Sequence, residues 1–412
     1  MAKTVSMLTE FFGKYDPMSI EAYMDLGGFK ALEEVVKSNK EDTIEIVKAS
    51  GLRGRGGAGY PTGVKLEQSA AVPGDRKVVI CNADEGEPGT FKDRQFLEFD
   101  PFKIVEGMVM SAFLMGGTEG YIYIREEYAH LHDISINAVE KAREKGFLGS
   151  NILGSDMSFD IRVFSGAGAY VCGEGGALIE SIEGKQGKPR RKPPYTKQCG
   201  LWQLPTLVIN VETLAALPTI INHGADEYAG MGCADSKGTK VISLSGKVNK
   251  PGAYEVAFGI TLNEIINDLG GGMRDGSTPN FLQIGGASGP IIPADQFNLK
   301  LCYQELWDNG FDVGSGAIVV ADQTTNLANY LHTVYEFFED ESCGKCTPCR
   351  EGNRQIVTLL HKVAHGRGSQ KDLDLAVRFA NHMKGTSFCG LGKTAPAPLL
   401  TAVKNMNSDL LK

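Results

Sequence analysis

The chain has 412 residues, 42% of them apolar and 22% charged, with a formal net charge of −8. That length exceeds one ordinary core and predicts two or three domains, and the acidic balance argues against a nucleic-acid surface, which selects for basic faces. No apolar run reaches the roughly 18 residues of a membrane span, and the opening MAKTVSMLTEFF lacks a secretory core, so a cytoplasmic, reducing setting is expected and the nine cysteines do not read as a disulfide framework.

In chain order, residues 17–50 read as short helices with apolar residues at helical spacing. GLRGRGGAGYPTG (Gly51 to Gly63) follows as a loop almost without side chains. Val78 to Cys81 is a buried strand that breaks into the polar loop CNADEGEPGTFKDR. FKIVEGMVMSAFLMG predicts an amphipathic helix, EGYIYIREEY an alternating strand, and ISINAVEKAREKG a helix stopped at Gly146. FDIRVFSGAGAYVCGEGGAL is strand, glycine loop, helix. Strands alternating with helices indicate an α/β core. The basic, proline-rich EGKQGKPRRKPPYTKQCG is irregular, and a helix begins near Val211. Near residue 240 the order becomes strand, turn, strand, helix, as in a small β-grasp unit, with further strands in NFLQIGGASGPIIP and GAIVVAD. From about residue 325 the chain is helical.

Two features carry chemistry. ESCGKCTPCREG sets Cys343, Cys346 and Cys349 three apart, and Cys389 lies 40 residues on (389 − 349). Three thiolates in one turn plus a remote fourth suit a [4Fe-4S] cluster. Zinc is the competing reading, but structural zinc sites pair two arms, and no second arm is present here. Cys81, Cys172, Cys199, Cys233 and Cys302 lack such spacing and read as small buried residues. The second feature is GRGGAG (Gly54 to Gly59), formally GxGxxG. It follows a helix and precedes Pro61, so it is not a Rossmann turn. A plain glycine turn competes with a phosphate cradle; Arg53, Arg55, Tyr60 and Lys65 in the same stretch favour the cradle. Asn82, Asp84, Glu85, Glu87 and Asp93 crowd a strand end, where α/β sheets bind ligands, although a solvated acidic loop would look similar.

Taken together, GLRGRGGAGYPTG, CNADEGEPGTFKDR, GAGAYVCGEGGAL, KPPY, PTLVINVET and ESCGKCTPCREG with CGLG occur in that order. The chain thereby resembles the flavin-carrying, NAD(P)H-oxidising subunit of complex I and its relatives in cytosolic hydrogenases, formate dehydrogenases and electron-bifurcating transhydrogenases. The resemblance covers residues 45–405 or so. It implies an FMN- and NAD(P)-binding α/β domain over 1–235, a ubiquitin-like β-grasp domain over 236–325 and a helical [4Fe-4S] domain over 326–412. By motif, Gly54, Arg55, Gly56, Gly57 and Lys65 would hold the FMN phosphate side, and Asn82 and Asp84 the flavin or its ribityl chain. Glu87 would meet the nicotinamide, in the reacting part of the site. Tyr170, Gly173, Glu174 and Gly175 would line the pocket, Asn210 and Thr213 close it, and Tyr60 and Tyr195 stack on the dinucleotide. Cys343, Cys346, Cys349 and Cys389 would ligate the cluster. Implied partners are a thioredoxin-like [2Fe-2S] subunit, a larger iron–sulfur, hydrogenase or formate dehydrogenase subunit, and ferredoxin, without membrane insertion.

The sequence departs from the family pattern at four places. CGEGGAL has Gly175 and Gly176 where the family reads Glu and Thr, Ile209 replaces an Asn, Leu66 a Trp, and Gln68 stands near a missing aromatic. An acid at position 175 would accept a ribose 2′-hydroxyl and repel a 2′-phosphate, so Gly175 predicts a leaning to NADP(H) over NAD(H). Lys185, Lys188, Arg190 and Arg191 are the cations expected to pair with that phosphate; solvated loop charges are the competing reading. The same departures leave open a flavin-free structural iron–sulfur subunit.

Overall fold

A computed structural model describes residues 4–411. They divide into two compact units, one comprising Val5–Gly86 and Phe91–Val241, the other including Glu87–Thr90 and everything from Ile242 on.

The first unit opens with helices α1 (Ile20–Asp25), α2 (Lys30–Lys37), α3 (Lys40–Ala49) and α4 (Thr62–Ala70). There follow β1 (Val78–Ala83), α5 (Asp93–Phe99), α6 (Pro101–Met115), β2 (Glu119–Ile124), α7 (His132–Glu144) and β3 (Asp160–Ser165). It ends with α8 (Gly175–Ile182), β4 (Thr206–Asn210), α9 (Val211–His223), α10 (Ala225–Gly230) and the two-residue strands β5 (Gly232–Cys233) and β6 (Ser236–Lys237). The sheet runs β3-β2-β1-β4 and is parallel throughout, Ile80 facing Tyr121 on one side and Val208 on the other. Parallel strands joined by helices put all four carboxyl ends on one edge, and both faces of the sheet under helices.

That layering corrects two expectations. Residues 101–115 are buried on every side rather than amphipathic, because α6 lies between the sheet and the helices α2, α4 and α9. β2 is buried along five of its six residues rather than alternating, as an interior strand of a covered parallel sheet must be. Helix α4, which sequence reading missed, starts directly after the glycine loop. Cys81 and Cys172 are buried free thiols as expected and Cys199 is only partly buried, whereas Cys233 and Cys302 are disulfide-bonded, against the expectation of isolated small residues.

β7 (Thr239–Gly246) carries the chain out of this unit. The second unit adds β8 (Gly252–Ala257), the single turn α11 (Leu262–Glu264), β9 (Pro279–Ile284), β10 (Ile291–Pro293), α12 (Tyr303–Asp308) and β11 (Ala317–Asp322). Its sheet has the order β10-β9-β11-β7-β8, with β11 parallel to β7 and antiparallel to β9. Helices α13 (Leu327–Asp340), α14 (Thr347–Ala364), α15 (Gln370–Thr386), α16 (Gly390–Thr394) and α17 (Ala397–Leu410) complete it. The Thr401 hydroxyl on α17 accepts the Ile291 N–H of β10 at 2.8 Å, tying the bundle to the sheet.

Candidate functional site

The glycine loop sits at the carboxyl edge of the parallel sheet. Its ends are clamped by Gly54 N–H donating to the Tyr60 carbonyl at 2.8 Å and by a bridge between Arg53 and Pro61. Gly57 (φ 120°) and Gly59 (φ 60°) take backbone angles that side chains disfavour. The Arg55 N–H donates to the Thr213 hydroxyl at 2.9 Å. A Cβ on Gly56 would fall 3.1 Å from the Asn210 Cβ, so bare backbone is what fits there. The loop is thus docked on the first turn of α9.

Arg55 corrects its predicted role. Its guanidinium is buried, donating to the Tyr228 hydroxyl at 2.9 Å and the Lys237 carbonyl at 3.0 Å. Its main-chain N–H is likewise committed, to the Thr213 hydroxyl. Lys65 reaches the Val208 carbonyl; burial, with a contribution from Lys192, pulls its pKa down to about 8.

The acid in CGEGGAL has a structural explanation. Glu174 is the N-cap of α8: Oε2 accepts the Gly176 and Ala177 N–H groups at 2.8 and 3.0 Å, and Oε1 accepts Lys192 Nζ at 2.6 Å. Gly176 leaves room for this, since a Cβ would lie 2.9 Å from both Glu174 Oε2 and the Arg190 nitrogen. A Cβ on Gly175 would meet only Val208 carbons, at 3.6 to 3.7 Å, so packing alone does not require glycine there. Asn82 Nδ2 donates to the Gly173 carbonyl at 2.9 Å and its Oδ1 accepts the Asp84 N–H at 3.1 Å, which locks β1 to the loop before α8. Tyr170 stands against Gly86. Asn210 caps α9, accepting the Thr213 N–H at 3.4 Å.

Sequence reading missed a buried charge network behind these residues. Asn210 Nδ2 donates to Asp93 at 2.6 Å; Lys92 bridges Asp93 at 2.6 Å and Glu212 at 2.8 Å; Lys240 meets Glu212 at 2.5 Å. Burial would raise the Glu212 carboxyl, but Lys240, Lys92 and Arg55 overcome it and hold it at about 2. Glu85 accepts the N–H groups of Lys92, Asp93 and Arg94 at the start of α5. The available signal was the run of charges beside a buried strand, without any indication of which would pair.

Glu87 is placed in the second unit, unlike the other predicted pocket residues, and accepts the Ser288 N–H at 2.8 Å. Tyr60 and Tyr195 are 47% and 52% exposed, leaving faces for stacking. Two of the four cations expected to hold a phosphate are already paired: Lys185 with Glu183 at 2.7 Å, and Arg190 with Glu183 at 2.7 Å and with Glu180. That part of the expectation is corrected; the acids of α8 and its cap residue hold these side chains.

The four predicted cysteines converge in the second unit. Burial raises the Cys349 thiol to about 11, Ser342 opposes this, and Cys346, Cys389 and Cys343 each add to the rise. Cys349 Sγ lies 3.4 Å from the Ser342 hydroxyl and 3.6 Å from Asn353 Nδ2, and the Phe388 N–H points at Cys346 Sγ from 3.5 Å. Cys346 precedes α14 and Cys389 precedes α16. Four thiols with N–H donors around them fit a [4Fe-4S] cluster, whose net negative charge is favoured at helix N-termini. The bare loop backbone and Gly56, where a Cβ would fill the space beside Asn210, likewise fit a phosphorylated flavin.

Family comparison agrees with both fits. The Nuo51 FMN-binding domain matches residues 47–219, the SLBB domain 241–293, and the NADH-ubiquinone oxidoreductase-F iron-sulfur binding region 329–412. The NADP-reducing hydrogenase subunit HndC of Solidesulfovibrio fructosivorans is 43% identical over 99% of this chain and 83% of its own length. The F-type subunit of the NADH-quinone oxidoreductase of Aquifex aeolicus is 43% identical over 95% and 90%, and an F-type subunit of that of Rhizobium meliloti 40% over 95% and 93%. The crystal structure of an NAD+-reducing [NiFe]-hydrogenase in the H2-reduced state superposes with a TM-score of 0.85 at 33% identity, over 98% of this chain. The chain spans 66% of the length of that hydrogenase chain.

Proposed function

The chain belongs to the family of FMN- and iron–sulfur-carrying subunits typified by the F-type subunits of the NADH-quinone oxidoreductases, and on that premise we propose that it is the electron-input subunit of a multisubunit oxidoreductase. The observation that carries the reading is one chain holding both a flavin-type loop at a sheet edge and four convergent cysteines. Bound flavin supplies the exchange between a two-electron hydride and the single electrons that an iron–sulfur cluster takes. The protein's part is positioning: the loop backbone for the phosphate, Asn82 and Glu174 for the shape of the pocket, Asn210 and Thr213 for its closure. None of these side chains needs to move a proton in the hydride step.

We read the five-stranded sheet as the β-grasp part of a three-part division at about residues 235 and 325. The partners are a thioredoxin-like [2Fe-2S] subunit and a larger iron–sulfur, hydrogenase or formate dehydrogenase subunit, with ferredoxin as a further acceptor or donor. No helix among the described residues is long and apolar enough to cross a membrane. Leu66 and Ile209, two of the family departures, are buried at 0% and 3% exposure; they act on packing and favour a retained flavin over a purely structural subunit.

The nucleotide is NADP(H). Gly175 removes the acid that would repel a 2′-phosphate, and Lys188 and Arg191 remain to meet it after Lys185 and Arg190 are committed to Glu183. Steady-state dye reduction by the flavin-loaded protein decides this. NADPH should give the higher kcat/KM, and Gly175→Glu should reverse the order. A higher kcat/KM for NADH in the unmodified protein refutes the preference, and a purified chain without flavin absorbance refutes the electron-input reading itself.

A further inference from the structure

Behind the glycine loop lies the carboxylate of Asp93, which is 5% exposed. Its Oδ1 accepts Lys92 Nζ at 2.6 Å and the Glu212 N–H at 3.3 Å, and its Oδ2 accepts Asn210 Nδ2 at 2.6 Å. Its own N–H is held by Glu85 Oε1 at 2.8 Å. Lys92 also meets Glu212 at 2.8 Å. The carboxylate is thus fixed by its neighbours and presents one oxygen to Asn210.

These contacts leave the Asn210 amide a single orientation. Its oxygen faces the Thr213 N–H that it caps, at 3.4 Å, and its nitrogen faces a carboxylate that can only accept. A flipped amide would set oxygen against oxygen beside Asp93. An amide nitrogen carries two hydrogens. The bond to Asp93 is the one that Nδ2 makes among the described residues, so its second hydrogen is uncommitted. That nitrogen is on the loop side, 3.5 Å from where a Cβ on Gly56 would stand. The cations of the loop are drawn elsewhere, Arg55 to Tyr228 and Lys237, and Lys65 to the Val208 carbonyl.

On the flavin reading, from which this inference proceeds, we propose that Asp93 is a positioning residue that turns the Asn210 amide so that a fixed N–H is offered to the phosphate of the flavin. A carboxylate facing that phosphate would repel it, whereas one acting through an amide polarises the amide as a donor. The test is flavin binding by the full chain, followed by quenching of flavin fluorescence, with FMN and with riboflavin, which lacks the phosphate. The ratio of the two dissociation constants separates the phosphate contribution from any general loosening of the pocket. In Asp93→Asn the remaining oxygen is claimed by Lys92 and the Glu212 N–H, which leaves an amide nitrogen against Asn210. The FMN advantage over riboflavin should then fall at least about tenfold. Asn210→Ser keeps a capping oxygen but loses the amide N–H, and should lower the advantage by a similar factor. Asp93→Asn should cost nothing further in the Asn210→Ser background. An unchanged FMN advantage in Asn210→Ser, or additive losses in the double variant, would overturn the proposal, and Asn210→Ser decides it even if Asp93→Asn does not fold. A parent chain that binds neither flavin overturns the electron-input reading and this inference with it.

Discussion

At the scale of single residues, the site is built largely from helix caps. Glu174 and Asn210 cap α8 and α9, and Cys346 and Cys389 stand at the starts of α14 and α16. A helix start offers N–H groups and a partial positive charge; Glu174 and Asn210 already fill those of α8 and α9, whereas Cys346 and Cys389 make no side-chain cap, and an anionic cluster is favoured there. Glu174 has two separable duties, capping through Oε2 and pairing with Lys192 through Oε1. Glu174→Gln keeps a capping oxygen and should melt within about 0.5 kcal/mol of the parent, whereas Glu174→Ala should lose about 1 kcal/mol. Denaturant unfolding of both variants checks this; equal losses would mean that the ion pair, not the cap, stabilises the turn. Sequence reading identified Glu174 by its motif and missed its capping, because a cap is defined by backbone angles and not by residue type alone.

At the scale of elements, the central helix α6 is the support on which the sheet edge rests. It crosses α9 closely at Gly107, where a Cβ would come within 2.4 Å of the Leu214 carbonyl oxygen. Backbone cannot yield as a side chain can. Gly107→Ala should therefore separate α6 from α9 and destabilise the protein by about 1–3 kcal/mol. Gly352 on α14 is a useful contrast, since its Cβ would strike the flexible Met383 side chain at 2.4 to 2.5 Å. Gly352→Ala should cost less than Gly107→Ala in the same thermal unfolding series; the reverse order would contradict this account of the α6–α9 crossing. The strands and most helices could be read from hydrophobic runs. The burial of α6 on all sides could not, because a helix covered by other helices shows its environment only after folding.

At the scale of the whole molecule, chemistry is divided between two compact units, the glycine loop in one and the four cysteines in the other. Each unit has its own apolar interior, so removal of the cluster should leave the flavin-type loop folded. Cys389→Ser should lose the iron–sulfur absorbance while retaining flavin at near-parental stoichiometry, measured by iron and flavin analysis of the purified protein; loss of both would show the units to be coupled in folding. The sequence by itself determined the cysteine spacing, the glycine loop and the order of strands and helices, because these depend on local periodicity and on residues close in the chain. Only the tertiary structure decided which charges were already spent. Arg55, Lys185 and Arg190 all read as available cations along the chain, yet one is buried on Tyr228 and Lys237 and the others are held by Glu180 and Glu183. A charge is available to a ligand only when no nearer partner has satisfied it, and most of those partners come from other turns and elements of the fold.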